Sequence, residues 1–260
     1  MIDGNIAHKI VDAARLRRED PAVEVGPGAG ALTAILARRE VRLVAVELDR
    51  NLADALGGLL SSFRHVTVLQ QDALGMDWRG LQRRHFGAAG SAVLISNLPY
   101  NISTPFLHSL YKQNFPFQRA ILMLQKEVAL RLTAEPGGDY GALSVFSRFY
   151  TEPQILFFVS RSAFWPRPEV DSAVVALQPR TLPLSCGEEA VFRRAVEAAF
   201  QQRRKMVSNS LRSLAGGSRD QLISFLRGAE IDPRARAETL TVEQFAKLAR
   251  IAYNYTNKCT

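Results

Sequence analysis

The sequence is poor in cysteine and has no long apolar run. Its two cysteines, Cys186 and Cys259, are too few for a disulfide framework or a four-thiolate zinc site, so we expect free thiols and no bound metal. No apolar stretch reaches the roughly eighteen residues of a transmembrane helix. The start, Met1-Ile2-Asp3-Gly4, lacks the basic-then-apolar layout of a signal peptide. A cytoplasmic protein that does not cross a membrane is therefore expected.

Acidic residues are in the minority. The 260 residues include 33 Lys or Arg against 25 Asp or Glu, a formal net charge of +8. This balance favours a polyanionic partner, most simply a nucleic acid, over a membrane surface. Residues 181–260 hold 13 basic against 8 acidic residues, and Arg203-Arg204-Lys205 is a dense basic group. These three residues are candidate phosphate contacts; the alternative is a solvated helix face.

A glycine-rich turn follows the first predicted strand. Ala22–Val25 leads into Gly26-Pro27-Gly28-Ala29-Gly30, and 31–39 is predicted to be a helix. Glycines there let the backbone approach a ligand closely. A dinucleotide fingerprint has its third glycine three residues after the second, whereas this chain has G-x-G-x-G. The spacing favours S-adenosylmethionine over NAD, with Gly26 and Gly28 as contacts.

Carboxylates follow the next two predicted strands. Glu47 closes the strand 43–47, 21 residues after Gly26, and Asp72 follows the strand 66–69. A carboxylate at the first position can accept hydrogen bonds from ribose hydroxyls, and one at the second can accept a bond from an adenine amine. Either residue alone is a common solvated strand end. Together, after the glycine turn, they indicate a nucleoside site.

The stretch from Ser96 to Asn101 follows an apolar run, 92–95, that predicts a buried strand. Pro99 ends the hydrogen-bonded ladder at that point. The Asn97 side-chain oxygen and the Leu98 carbonyl can each accept a hydrogen from an exocyclic amine, and Tyr100 can stack on a ring. The motif is short, and by itself it would also fit a simple strand-ending turn. In an open α/β sheet, however, ligands bind at this edge.

The later part of the chain predicts a change of architecture. A fifth strand is predicted at 120–124, and 155–159 and 172–177 are predicted to pair as closing strands. The loop between them, Phe164-Trp165-Pro166-Arg167-Pro168, suits either base stacking or a hydrophobic plug. A linker is predicted at 178–183, which divides the chain into domains 1–180 and 181–260. Helices are predicted after it at 188–200, 203–214, 219–227 and 242–253.

Taken together, these motifs resemble those of the KsgA-type family of ribosomal RNA small-subunit adenine dimethyltransferases. The likeness extends over nearly the whole chain, in order and spacing. It rests on 24–28, 46–49, 71–73, 97–103, 124–128, 140–145, 164–172, 200–205 and 209–211.

The resemblance implies a Rossmann-like class I methyltransferase domain, with a mostly parallel seven-stranded sheet flanked by helices, and a small all-helical C-terminal domain that binds RNA. It implies methyl transfer from S-adenosylmethionine to two adjacent adenosines in the 3′-terminal hairpin loop of small-subunit ribosomal RNA. The enzyme is then expected to act as a monomer on a pre-30S-type particle. The catalytic residues implied are Asn97, Leu98, Tyr100 and Phe164. The cofactor contacts implied are Gly26, Gly28, Glu47, Asp72, Ala73 and Asn97. The RNA contacts expected are Lys126, Arg203, Arg204 and Lys205.

The chain departs from the family at its start. A basic stretch and a G-Q-x-F-L segment usually come first, and here Met1-Ile2-Asp3 stands where that segment should end. We therefore expect a fragment or a missed start, with incomplete contacts to the methionine end of the cofactor. Two alternatives stay open: an adenine methyltransferase of DNA or large-subunit RNA, and a non-catalytic binding factor. The intact Asn97 motif argues against the second.

Overall fold

The computed structural model describes residues 4–87, 91–181 and 184–258. The opening Met1-Ile2-Asp3, the linker residues Leu182 and Pro183, and Cys259 therefore lie outside the described residues. Cys186 is a free, exposed thiol. Within the described ranges, no helix has the length and apolar character needed to cross a membrane.

Seven strands form one sheet in the order β3-β2-β1-β4-β5-β7-β6. Neighbouring strands among the first five pair in parallel, and β7 runs antiparallel to both β5 and β6. This confirms the predicted fold class. The strands are β1 (Pro21–Val25), β2 (Arg42–Glu47), β3 (Val66–Gln70), β4 (Val93–Asn97), β5 (Arg119–Gln125), β6 (Thr151–Val159) and β7 (Ser172–Pro179).

Helices alternate with the parallel strands and then follow one another in the last part of the chain. Several begin at residues whose side chains accept hydrogen bonds from the first turn, such as Asp49 and Ser185. The α-helices are α1 (Gly4–Ala13), α2 (Ala31–Arg38), α3 (Arg50–Leu59), α4 (Trp78–Phe86), α5 (Ser103–Lys112), α6 (Lys126–Thr133), α7 (Ala142–Tyr150), α8 (Cys186–Gln201), α9 (Val207–Ser210), α10 (Arg219–Gly228) and α11 (Val242–Lys258).

The strand order reverses direction between β1 and β4, which lie side by side in the middle of the sheet. The connection after β1 leads to one side, and the connection after β4 leads to the other. Such a switch point leaves a crevice at the carboxyl ends of the two strands. The glycine turn follows β1, and Asn97 is the last residue of β4, so the two predicted motifs meet there.

The antiparallel strand β7 brings another loop to the same edge. Because β6 runs in the same direction as β5 and β7 runs against both, the connection from Val159 to Ser172 lies at the carboxyl edge of the parallel strands. This connection contains Phe164 and the two prolines after it. The topology therefore places the third predicted motif beside the other two.

The chain divides into two compact units. The first includes the residues through Leu130 and Tyr150–Arg180, and it holds the whole sheet. The second includes Arg131–Phe149 and the residues from Thr181 on. Its core contains stacked aromatic rings, with Phe149 and Phe192 at 4.0 Å between ring centroids. Residues 131–149 thus pack with the C-terminal helices. A single domain boundary after Arg180 would instead assign them to the first domain.

Two predicted segments are wrong in detail. Residues 203–206 form turns, not the start of a helix, and α9 extends only over Val207–Ser210. The reason is that Met206 forms an isolated bridge with Arg236 and Val207 donates its N–H to Ala235, which pulls this backbone out of helical geometry. The predicted linker also begins too early, because β7 continues through Pro179.

A carboxyl group lies within the core of the first unit. Glu24, in the middle of β1, is only 1% exposed, and its Oε2 has no hydrogen-bond partner within the described residues. Burial raises the pKa of Glu24 from 4.5 to about 8, and the charge of Glu47 adds to this effect. An uncompensated buried carboxylate is costly, so the folded protein favours the protonated form.

We expect this group to make stability depend on pH. Between pH 4.5 and about 8 the unfolded chain has released the Glu24 proton and the folded chain still holds it. Stability therefore falls as pH rises through this window and levels off above it. Glu24→Gln imitates the neutral form. The melting temperature of this variant minus that of the parent should be several degrees larger at pH 9 than at pH 5, because 1 kcal/mol of stability shifts the melting temperature by about 2–4 °C for a chain of this size.

Scanning calorimetry without cofactor measures this difference. Glu152→Gln, a change of the same type at an exposed position of β6, is the control and should give the same difference at both pH values. A Glu24→Gln gain that does not grow with pH would contradict the assignment of a neutral buried carboxyl.

Candidate active site

The glycine turn after β1 has a backbone that only glycine adopts readily. Gly26, Gly28 and Gly30 have φ angles of +64°, +53° and +80°. The Gly26 N–H donates to the Val46 carbonyl at 2.9 Å, which fixes the turn against the end of β2. A Cβ atom at Gly26 would lie 3.3 Å from Cδ of Pro99, whereas one at Gly28 would meet nothing within 4 Å. The turn thus packs against the Asn97 motif at one glycine and is open at the next.

Glu47 ties this turn to the following strand. Its carboxylate is largely buried; Oε2 accepts the N–H of Gly28 at 3.1 Å and Oε1 accepts the N–H of Asp49 at 3.0 Å. Each carboxylate oxygen can accept a further hydrogen bond, so capacity remains for ribose hydroxyls. Leu48, the next residue, is an apolar side chain that is 63% exposed at this rim.

Asp72 and Ala73 lie at the end of β3. The Gln71 N–H donates to the Glu47 carbonyl at 2.8 Å, which holds this end beside β2. Asp72 is exposed, and its Oδ1 accepts the N–H of Leu74 at 2.9 Å as the cap of a short 3₁₀ turn. The other carboxylate oxygen has capacity for a ligand. Ala73 is buried at the base of this turn.

Asn97, Leu98, Tyr100 and Phe164 line one open cavity of about 310 Å³, together with Gly26. The Asn97 side chain has no hydrogen-bond partner among the described residues, so its amide is available to a ligand. The Leu98 N–H donates to the Met123 carbonyl at 3.2 Å, and the Leu98 side chain is buried. The turn that follows is closed onto the Pro99 carbonyl by the Ile102 N–H and the Ser103 hydroxyl, each at 3.1 Å.

The Tyr100 ring is held by its hydroxyl. Tyr100 Oη lies 2.8 Å from Oγ of Ser172, a fully buried residue at the start of β7. This hydrogen bond joins the fourth strand's loop to the strand that follows the Phe164 loop. Ser172 was not among the predicted site residues, because a lone serine at a strand start carries no signal of its own.

The residues at the switch point fit S-adenosylmethionine. Gly28 leaves open space where any other residue would place a Cβ atom. Glu24 lies in β1, two residues before Gly26, and its Oε2 is a buried polar atom without a partner among the described residues. A cationic ligand with a hydroxylated sugar and an amine suits this set of acceptors. Sequence analysis included Glu24 in the matching stretch 24–28 but assigned it no contact, although a carboxylate inside an apolar strand run is a signal.

The predicted RNA contacts differ in their surroundings. Lys126 is exposed, and its ammonium lies 5.4 Å from the ring centroid of Phe158. Arg203 donates to Glu238 at 2.8 Å and also to the Gly138 carbonyl, so its guanidinium is bound within the second unit. Arg204 and Lys205 are exposed in the same unit and form no ion pair within the part of the chain that the structure describes.

Comparison with known proteins agrees with the geometry. A family model described as ribosomal RNA adenine dimethylase matches residues 1–254. Two proteins named ribosomal RNA small subunit methyltransferase A, from Moorella thermoacetica and Geobacillus thermodenitrificans, are 44% and 41% identical to this chain. Each alignment covers 96% of this chain and 88% or 87% of the relative.

Solved structures show the same fold. The 23S rRNA methyltransferase ErmE is similar at 26% identity and a TM-score of 0.70, over 95% of this chain and 96% of its own. A dimethyladenosine transferase from Plasmodium falciparum superposes with a TM-score of 0.78 over 97% of this chain and 96% of its own; at 22% identity it supports the fold alone. Since the family model spans nearly the whole sequence, this chain belongs to the ribosomal RNA adenine dimethylase family.

Proposed function

We propose that this protein transfers methyl groups from S-adenosylmethionine to the N6 atoms of two adjacent adenosines in the 3′-terminal hairpin loop of small-subunit, 16S-type ribosomal RNA. One observation carries the proposal: the cavity at the switch point joins the glycine turn to Asn97, Leu98, Tyr100 and Phe164. The names of the relatives point to the small subunit. The enzyme acts in the cytoplasm, as a monomer, on a pre-30S-type particle.

The cofactor is held by the ends of the first four strands. Bound S-adenosylmethionine supplies a methyl group already activated by its sulfonium. The Gly26–Gly28 backbone would admit it closely, Glu47 would accept hydrogen bonds from its ribose hydroxyls, and Asp72 would accept one from its adenine amine. Ala73 and Asn97 would line the cofactor site, and Asn97 would contact the target base as well.

The chain's contribution to the chemistry is to prepare the acceptor nitrogen. The lone pair of an adenine amine is delocalised into the ring. Hydrogen bonds from the amine to the Asn97 oxygen and the Leu98 carbonyl favour a pyramidal nitrogen with a localised lone pair. The same oxygens stabilise the positive charge that develops there, and orientation supplies much of the remaining acceleration.

The target base must leave its stack to reach this cavity. Tyr100 and Phe164 line the cavity and sandwich the base, each stack contributing about 1–3 kcal/mol. The hydrogen bond to Ser172 presets the Tyr100 ring for this task. Lys126, Arg204 and Lys205 contact phosphates. Arg203 stays a predicted contact, although in this structure it is bonded to Glu238.

Mass spectrometry of RNA after incubation with purified protein and labelled cofactor tests the proposal. The substrates are small subunits that lack the modification, naked 16S and 23S ribosomal RNA, and DNA. We expect dimethyladenosine only at two adjacent positions of the small-subunit RNA. Methylation of 23S RNA or DNA in its place would favour the rival methyltransferase, and cofactor binding without transfer would favour a binding factor.

Glu47→Ala should weaken cofactor binding. The variant loses two hydrogen-bond acceptors for ribose and also the bond that fixes the Gly28 N–H. We therefore expect the free energy of cofactor binding to weaken by about 1.5–3 kcal/mol. Isothermal titration calorimetry measures the affinity. Glu152→Ala, an exposed change on β6, is the control and should bind as the parent does. Equal affinities for the parent and Glu47→Ala would rule out this ribose contact.

Asn97→Ala should slow methyl transfer by about 10²–10³, as expected for the loss of one preorganised polar contact. Cofactor affinity should fall less, and the melting temperature should barely change, because the amide has no partner to lose among the described residues. Single-turnover methylation of small subunits gives the rate. A parental rate in this variant would show that the amine is not held by Asn97.

Substitutions at Tyr100 separate stacking from anchoring. Tyr100→Phe keeps the ring and should stay active, with about 0.5–1.5 kcal/mol lower stability from the lost bond to Ser172. Ser172→Ala should lower stability to a similar extent, and Tyr100→Ala should be inactive. Activity comes from the same single-turnover assay and stability from thermal melts. An active Tyr100→Ala would exclude the stacking role.

The basic group of the second unit should contribute salt-dependent RNA affinity. Replacing Arg204 and Lys205 by Ala should weaken binding to any RNA sequence and reduce the slope of log K against log salt by up to about 0.7 per lost contact. The exchange Arg204→Lys with Lys205→Arg keeps both charges and is the matched control. If the Ala variant retains the parental slope in fluorescence anisotropy titrations, these side chains do not touch phosphate.

A further inference from the structure

A second cavity lies at the same edge of the first unit, and of its lining residues only Lys126, the proposed phosphate contact, has a role above. It has a volume of about 420 Å³, and Gln125, Lys126, Glu127, Leu130, Arg161 and Val170 are among the residues that line it. The loop between β6 and β7 contributes to both cavities, with Phe164, Pro166 and Pro168 on one and Arg161, Val170 and Asp171 on the other.

Strand register places this cavity next to the catalytic one. Asn97 pairs with Met123, and Gln125 is two residues further along β5, so all three lie on one face of the sheet. Strand geometry puts Gln125 and Asn97 roughly 8 Å apart between Cα atoms. Gln125 in turn pairs with Ser172, the residue that holds Tyr100. The nucleotide that adjoins a base in the first cavity therefore has the second within reach.

The lining suits a base better than a phosphate. Carboxylates outnumber cations in it, with Glu127, Glu169 and Asp171 against Lys126 and Arg161, so an anion is not favoured. Two large apolar side chains, Leu130 and Val170, are 40% and 43% exposed there and offer surface to a ring. These features describe a site for a flat, neutral, partly polar group.

Gln125 supplies the specific recognition. Its amide is half-buried at the end of β5 and has no hydrogen-bond partner among residues 4–87, 91–181 and 184–258. A glutamine amide matches the N6 and N7 edge of adenine, accepting from the first and donating to the second. The surrounding loop is fixed, since the Arg161 N–H donates to Asp171 at 3.0 Å and its guanidinium donates to the Glu169 carbonyl at 2.9 Å.

We propose that this second cavity binds the adenine next to the target adenosine, with Gln125 reading its N6 and N7 edge. The inference rests on the proposed function, because it takes the substrate to be two adjacent adenosines. Gln125 is a positioning residue: it sets the register of the RNA so that one adenine enters the catalytic cavity and its neighbour is held beside it.

The test pairs a protein change with a matching RNA change. Small subunits are reconstituted with RNA that carries 7-deazaadenosine at one or the other of the two positions, which removes N7 and keeps N6. Single-turnover transfer to the unmodified adenosine is followed by mass spectrometry. With the parent protein, substitution at one of the two positions should slow transfer by about 5- to 150-fold, the range for one bidentate base contact.

Gln125→Ala should transfer methyl slowly to the all-adenosine substrate, and its rate should not fall further on the 7-deaza substrate. Gln118→Ala, an exposed change just before β5 at the other edge of the sheet, is the control and should keep the full parental penalty. If Gln125 had only a structural role, Gln125→Ala would lower both rates and keep the 7-deaza penalty, and this result would overturn the assignment. The absence of a penalty at both positions in the parent would overturn it as well. Failure of the parent to methylate the all-adenosine subunit would refute the proposed function itself.

Discussion

The close approach of Gly26 to Pro99 is the contact on which the rest of the site depends. Gly26 has a φ of +64°, and any Cβ atom would lie 3.3 Å from the proline ring. A larger residue would thus be strained in its own backbone and would also push apart the turns after β1 and β4. Because these two turns are the proposed cofactor loop and the proposed target loop, their spacing is set by backbone and ring contact, without reliance on flexible side chains.

The main parts of the fold and of the site could be predicted from sequence because polar residues end apolar runs. Glu47 and Asn97 each close a buried strand, and parallel strands bring such ends to one edge. What could not be predicted depends on partners far away in the chain. The bond from Tyr100 to Ser172 spans 72 residues, and Arg203 is committed to Glu238, 35 residues on. Local pattern contains no information on such pairs, so the basic group 203–205 was predicted as one helix-borne patch.

A buried polar group next to the glycine turn lowers the stability of the protein without its ligand. Glu24 is buried in β1 with an unpaired oxygen among the described residues, and burial holds its pKa near 8. A hydrophobic residue there would pack into the strand without this penalty. Strained or unsatisfied groups collect at functional sites, where a ligand supplies the missing partner. The Asn97 amide differs from Glu24 in this respect: it is partly exposed at the end of β4 and has no partner among the described residues, so it is open to a ligand without a comparable burial penalty.

The reversed strand β7 places a loop directly at the carboxyl edge of the sheet. In a purely parallel sheet each connection leaves the carboxyl edge and returns through a crossover, usually a helix, to the opposite edge before the next strand begins. Because β7 runs antiparallel between β5 and β6, the loop from Val159 to Ser172 crosses that edge directly. One end of this loop supports the Tyr100 ring and its middle lines the proposed catalytic cavity, while Arg161 and Val170 are part of the lining of the second cavity. The two cavities, which we propose as base sites, are thus neighbours for a topological reason: a loop that covers the end of β4 must also pass over the end of β5.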